Sequence, residues 1–148
     1  MTTFVLDASV AAKWFLPARE EPLSGEAFRL LEAFTEGHVR FLVPELFWSE
    51  FGNILCKAVR RNRVTQPVAE EAIRRISSLE FPSKSDQSLL SDAYYIASRY
   101  GSAVYDSIYV ALAIASDAAM VTADERLVNT LPGHMPVLWL GDLRPATA

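Results

Sequence analysis

Apolar residues along the chain fall into two kinds of stretch: short unbroken runs, and longer segments with a helical period. The short runs are Phe4-Val5-Leu6, Phe41-Leu42-Val43, Ala119 to Thr122 and Val137-Leu138-Trp139-Leu140, each suited to a buried strand. Leu79-Glu80-Phe81 is a further short candidate. Between them the pattern predicts helices over Ala8 to Phe15, Leu23 to Glu36, Pro44 to about Arg61, Pro67 to about Ser78, Leu89 to Tyr100, Asp106 to about Ala115 and Glu125 to Leu131. Pro44 and Pro67 suit first helical turns, Pro17 stops the first helix, and Gly37 and Gly101 suit helix ends. Strands interleaved with helices imply a mostly parallel sheet with helices on both faces, because parallel strands need crossover connections. No repeat, low-complexity segment or linker interrupts the pattern, so residues 1–148 read as one three-layer α/β/α domain.

Composition narrows the class. Half the residues are apolar (51%) and 22% are charged, as in an ordinary globular domain. A net charge of −4, from 18 acids against 14 bases, argues against coating nucleic acid by charge alone but allows one local basic strip. The single cysteine, Cys56, falls within an apolar helical pattern and reads as a buried, inert thiol. One Cys and two His exclude a zinc framework. No signal peptide or bilayer-length apolar run is evident, which makes the cytoplasm the expected compartment and gives the membrane no part.

The candidate chemistry lies in four acids. Asp7 ends the first strand run, Asp124 follows a later one, and both can cap the helices they precede. Asp106 opens a predicted helix in the same way. In open α/β sheets, ligands bind at the carboxyl ends of strands near the point where strand order reverses, and capping does not exclude such a role. Glu50 is set differently. On a helical wheel Leu46 and Ile54 lie about 40° to either side of it and Phe47 about 60° away, so it projects from the border of an apolar face. Asn53 and Lys57 share that border, and a pair between Glu50 and Lys57 is the structural alternative. Two carboxylates about 4 Å apart repel by roughly 4 kcal/mol at an effective dielectric near 20. Four together would be partly protonated or would hold a cation, and an all-oxygen set suits Mg²⁺ or Mn²⁺.

With those residues in view, the chain resembles the PIN-domain family, specifically its VapC-type toxin ribonucleases. The resemblance is carried by Phe4-Val-Leu-Asp7-Ala-Ser9-Val-Ala-Ala-Lys-Trp14, Pro44-Glu-Leu-Phe-Trp-Ser-Glu50-Phe-Gly-Asn53, Tyr105-Asp106-Ser-Ile-Tyr109-Val-Ala-Leu-Ala113 and Val121-Thr-Ala-Asp124-Glu-Arg-Leu127, in order over nearly the whole chain. It implies about five parallel strands with an acidic site at their carboxyl edge, and RNA cleavage dependent on Mg²⁺ or Mn²⁺. Asp7, Glu50, Asp106 and Asp124 match the family's catalytic, metal-binding acids, with Ser9, Thr122 and Asn53 in support. It also implies a cognate antitoxin partner and a homodimer. Asp142, in Trp139-Leu140-Gly-Asp-Leu143, falls with the family's C-terminal strand and tail rather than with the site.

Lys57, Arg60, Arg61 and Arg63 form a basic strip at and beyond the end of the Glu50 helix, suited to RNA phosphates or simply to a solvated helix end. Arg74 and Arg75 are offset by Glu70 and Glu71. Trp14, Trp48, Tyr94, Tyr95 and Tyr109 read as core or partner packing ahead of base stacking. His38 and His134 flank turns and do not suggest metal-free RNA cleavage. Two rival readings stand: an Asp7-nucleophile phosphatase or phosphotransferase, against which Ser9 occupies the position for a second acid, and a non-catalytic RNA- or protein-binding module.

Overall fold

The computed structural model describes residues 1–143. Strands β1 (Thr2–Leu6), β2 (Val39–Pro44), β3 (Ser83–Lys84), β4 (Ala119–Thr122) and β5 (Val137–Trp139) form one all-parallel sheet in the order β3-β2-β1-β4-β5. The helices are α1 (Ala8–Ala12), α2 (Ser24–Thr35), α3 (Leu46–Arg60), α4 (Gln66–Ser78), α5 (Asp86–Tyr100), α6 (Val104–Ala115) and α7 (Glu125–Thr130), with a 3₁₀ turn at Leu140–Asp142. The chain winds from β1 through β2 to β3, then returns to the other side of β1 as β4 and continues to β5. Right-handed crossovers assign α1 to α4 to one face and α5 to α7 to the other. The layers predicted from hydrophobic pattern are therefore present, and Asp142 lies in the 3₁₀ turn that follows β5.

The core is continuous through these layers. Val5, Leu6, Phe41, Val43, Met120 and Val121 of the sheet are buried with Phe47, Phe51 and Leu55 of α3 and Tyr109, Val110 and Leu112 of α6. The α6 helix packs across β1, β2 and β4, while α1 packs against α3 and β4. This crossing carries residues from both helical layers toward the same end of the central strands.

Local departures from the sequence pattern have physical causes. Regular helix α1 ends at Ala12, and the chain tightens into i→i−3 bonds from Trp14 to Ala11 and Phe15 to Ala12 before Pro17. At the end of α2, His38 N–H bonds to Ala33 and Gly37 N–H to Phe34, with Gly37 at φ 79°, the two-bond closure that glycine favours. The predicted strand at Leu79 to Phe81 does not form. Leu79 instead closes α4, Glu80 turns left-handed at φ 52°, and the strand comes later at Ser83–Lys84. Phe81 is buried there as an aromatic plug, edge-on to Phe34, Phe41 and Phe47 and stacked on Trp48. Its apolarity reports that cluster, not strand pairing.

Cys56 is exposed, contrary to the buried thiol expected, because it lies about 100° around α3 from buried Leu55. Trp14 is core, with its indole N–H donating to Ala27 O at 2.8 Å. Tyr94 and Tyr95 are not core: both stand exposed on α5.

Candidate active site

Strand order reverses beside β1, and that is where Asp7 emerges. Its backbone N–H still bonds to Val121 O of β4 at 3.1 Å, and its side chain caps α1. The carboxylate is buried. Its Oδ2 receives two hydroxyl bonds, from Thr122 Oγ1 at 2.7 Å and from Ser9 Oγ at 2.9 Å. Each hydroxyl in turn accepts a backbone N–H from the turn after β4: Asp124 N–H to Thr122 Oγ1 at 3.0 Å, and Ala123 N–H to Ser9 Oγ at 3.2 Å. Because those N–H groups can only donate, each hydroxyl proton is directed at Asp7. Oδ1 receives only the long Ser9 N–H contact at 3.4 Å. Asp7 is thus clamped through one oxygen and keeps lone-pair capacity on the other.

Asp124 caps α7, accepting Leu127 N–H at 3.2 Å, and its side chain is exposed at the mouth of the site. Asp106 does not open its helix as expected. That helix begins at Val104 with Ala103 as cap, which puts Asp106 in the first turn, where the helix dipole favours a negative charge. Glu50 comes from the opposite helical layer on α3 and is half-buried, as its place beside an apolar face predicts. Its partner is not Lys57: Tyr109 donates its hydroxyl to Glu50 Oε2 at 3.2 Å. Tyr109 is core by burial, as expected, but its polar tip belongs to the site. Its spacing of three from Asp106 places both on one face of α6, the signal that could have found it.

The electrostatics show a shared deficit of positive charge. Burial raises the Asp7 carboxyl above its usual range despite the lowering by Thr122 and Ser9, and the nearby Asp124 charge adds to the rise. Burial, then the Asp7 charge, pushes Glu50 up to about 7, with Asp106 and Asp86 adding to it. Burial, then Asp7 and Asp124, lifts Asp106 to about 6. Burial and the same negative surroundings hold the Tyr109 hydroxyl far above the ordinary phenol range, so it stays a proton donor. The fold has brought Glu50, Asp106 and Asp124 into the field of Asp7.

They are not drawn into a closed cage. Among the described residues, no three His, Cys, Asp or Glu side chains are set to close on one ion. Mg²⁺ commonly keeps several waters and binds through one or two carboxylates plus substrate phosphate, so it does not call for such a cage. The donor set is all oxygen and carries surplus negative charge. Among residues expected in support, Ser9 and Thr122 are built into the site, whereas Asn53 is exposed one turn beyond Glu50 and outside its hydrogen bonds.

The basic strip divides. Lys57, Arg60 and Arg61 are exposed at the end of α3 and pair with no carboxylate among the described residues. Arg63 is taken out of it, since its guanidinium bridges Glu21 at 2.7 Å and Glu20 at 3.3 Å. The cause is the left-handed turn at Asn62, φ 56°, which closes α3 and sends the next residue back toward the loop before α2. Asp86 was hidden for a different reason: the apolar pattern starts α5 at Leu89, one turn after its true beginning.

Known proteins resemble this chain in sequence and in fold. The PIN domain family model matches residues 4–130. Ribonuclease VapC3 of Pyrobaculum aerophilum is 30% identical over 132 residues, covering 86% of this chain and 94% of that protein. The crystal structure of PAE2754 from Pyrobaculum aerophilum superposes with a TM-score of 0.67 at 22% identity, over 95% of this chain and 85% of that one. A toxin-antitoxin complex from Klebsiella pneumoniae gives a TM-score of 0.61 at 16% identity, over 91% of this chain and 95% of that one. VapBC2 from Rickettsia felis, bound to a DNA fragment from its promoter, gives 0.61 at 10% identity, over 93% of this chain and 98% of that one.

Proposed function

The chain belongs to the PIN-domain family, and we propose on that basis that it is a Mg²⁺- or Mn²⁺-dependent endoribonuclease, the toxin of a VapBC-type pair. The observation that carries the chemistry is the acid cluster itself. Asp7 is fixed through one oxygen by two hydroxyls and takes only a long N–H contact on the other, while Glu50 and Asp106 are held up to about 7 and about 6 by burial and neighbouring acids. Such a cluster repels an RNA phosphate unless a cation offsets it. The ribonuclease relative and the toxin-antitoxin neighbours support the substrate and the partner.

In this reading Asp7, Glu50, Asp106 and Asp124 hold the metal. A bound divalent ion supplies Lewis-acid charge at the phosphate and lowers the pKa of the attacking water. The protein's own groups do the rest. Ser9 and Thr122 keep the Asp7 carboxylate oriented, and Tyr109 holds one oxygen of Glu50. Lys57, Arg60 and Arg61 offer phosphate contacts beside it. The cognate antitoxin and a second copy of the chain are the proposed protein partners.

The test is cleavage of RNA by purified protein, with EDTA and with Mg²⁺ or Mn²⁺ restored, beside Asp7→Asn. Cutting that needs the metal and is lost in the variant supports the reading. Cutting indifferent to EDTA, or full activity of Asp7→Asn with excess Mg²⁺, overturns it. A phosphorylated Asp7 would instead identify a phosphotransferase, and RNA binding without cutting a non-catalytic module.

A further inference from the structure

The helix that carries Glu50 has no N-cap of its own. Glu45, the residue before α3, is already helical at φ −56° and ψ −36°, and its side chain makes no capping bond. The first N–H of the helix, that of Leu46, is instead taken by Asp86 Oδ1 at 3.2 Å, from a residue 40 positions away at the start of α5. Asp86 is not needed to cap α5, because Ser85 does that by accepting Ser88 N–H. Two further bonds set the same junction: Val43 N–H to Pro82 O at 3.0 Å, and Glu45 N–H to Lys84 O at 2.9 Å. The β2–α3 turn is therefore tied at three successive points to the strand and helix that follow α4.

Glu50 stands one turn beyond Leu46 on nearly the same side of α3, about 40° around the wheel. Any loosening of the first turn moves the Glu50 carboxylate relative to Asp7 and Tyr109, which come from other elements. We propose that Asp86 is a positioning residue: by capping α3 from α5 it sets where Glu50 stands in the acid site. This rests on the ribonuclease reading for its catalytic consequence, though the capping role can be tested alone. What Asp86 supplies is an acceptor oxygen in the right place, so asparagine can replace it and alanine cannot.

The experiment uses the full chain as wild type, Asp86→Ala, Asp86→Asn and a control, Ile76→Ala, which removes buried volume from α4 without touching the Asp86 bond. The first readout is hydrogen exchange of the α3 amides. Asp86→Ala should raise exchange over the first turn of α3 by about tenfold, Asp86→Asn should leave it near wild type, and Ile76→Ala should not affect that turn selectively. The second is RNA cleavage with Mg²⁺, where Asp86→Ala should lower kcat roughly tenfold or more with KM nearly unchanged, and Asp86→Asn should retain most of it. Equal loss in the Ala and Asn variants would overturn the capping role, and so would α3 exchange or kcat in Asp86→Ala no different from wild type or from Ile76→Ala. If the wild type cuts no RNA, the ribonuclease reading fails by itself, and the exchange arm still decides whether Asp86 holds α3.

Discussion

Two regions of this molecule bury charge, and they do it in opposite ways. Beneath the loop before α2, Lys13 is only 5% exposed, yet its ammonium meets Glu21 Oε1 at 3.2 Å and Pro22 O at 2.7 Å. The other oxygen of Glu21 takes Arg63 at 2.7 Å, and these partners outweigh burial and hold the Glu21 carboxyl below its usual range. Opposites meet there, and the loop is pinned to the end of α3. At the sheet edge, Asp7, Glu50 and Asp106 stand among further acids; among the described residues, Asp7 and Glu50 take side-chain bonds only from hydroxyls, and all three carboxyls are raised. A charge network complete within the chain is structural; one left with a deficit is set for something that arrives.

The largest effect should come from filling that deficit chemically. Asp106→Asn is expected to lower metal-dependent RNA cleavage by about 100-fold or more, while the metal-free variant melts no lower than wild type, because a repulsive charge has gone. Cleavage rates and thermal melts on the same preparations check both halves. Breaking the complete network does the reverse. Glu21→Ala strands a buried Lys13 and frees Arg63, and should cost about 3 kcal/mol in urea unfolding with cleavage per folded molecule retained.

The pH dependence sharpens the contrast further. Glu50 is raised from 4.5 to about 7 and Asp106 from 3.8 to about 6. A carboxyl raised in the folded state contributes stability that is full below its unfolded pKa and lost as pH rises through the folded one. Metal-free wild type should therefore lose a few degrees of Tm relative to Glu50→Gln between about pH 5 and pH 8, and Mg²⁺ should shrink the difference. Glu21 has the opposite sign: its contribution is present above its unfolded pKa and fades as pH falls. Parallel melts of both variants across pH would show the two regions pulling apart. The smallest effect is expected at the basic strip, where Arg61→Ala should lower the salt slope of RNA binding by about 0.7 and leave stability unchanged. Arg63→Ala, by contrast, should be felt in melting.

How far these regions could be read in advance follows from how local their signals are. Asp7 and Asp124 were legible because each ends a buried strand, and the sheet then carries them to one edge. Glu50 was legible because a helical wheel puts it against Leu46 and Ile54. The PIN-family motif order added the expectation that the four acids share one carboxyl edge, which no single segment shows; the β1–β4 pairing came only with the fold. What pattern missed depended on partners far away in sequence. Phe81 looks like strand and is a plug in a ring of aromatics. Arg63 looks free until the Asn62 turn delivers it to Glu21. Tyr109 has the apolarity of core, and only its hydroxyl's encounter with α3 gives it a second part. Asp86 precedes the apolar repeat of its own helix, so periodicity passes it over, and its acceptor bond belongs to a different helix.

The hydroxyl bond from Thr122 to Asp7 spans 115 residues, and β4 lies beside β1 in the sheet although β2 and β3 come between them in sequence. Pairings of such sequence separation carry a loop-closure cost and slow folding. The acids of β1, α3 and α6 thus depend on a distant segment, β4 and the turn after it, for the bonds that orient Asp7. The orientation of Asp7 is therefore complete only when residues from the two ends of the chain have met.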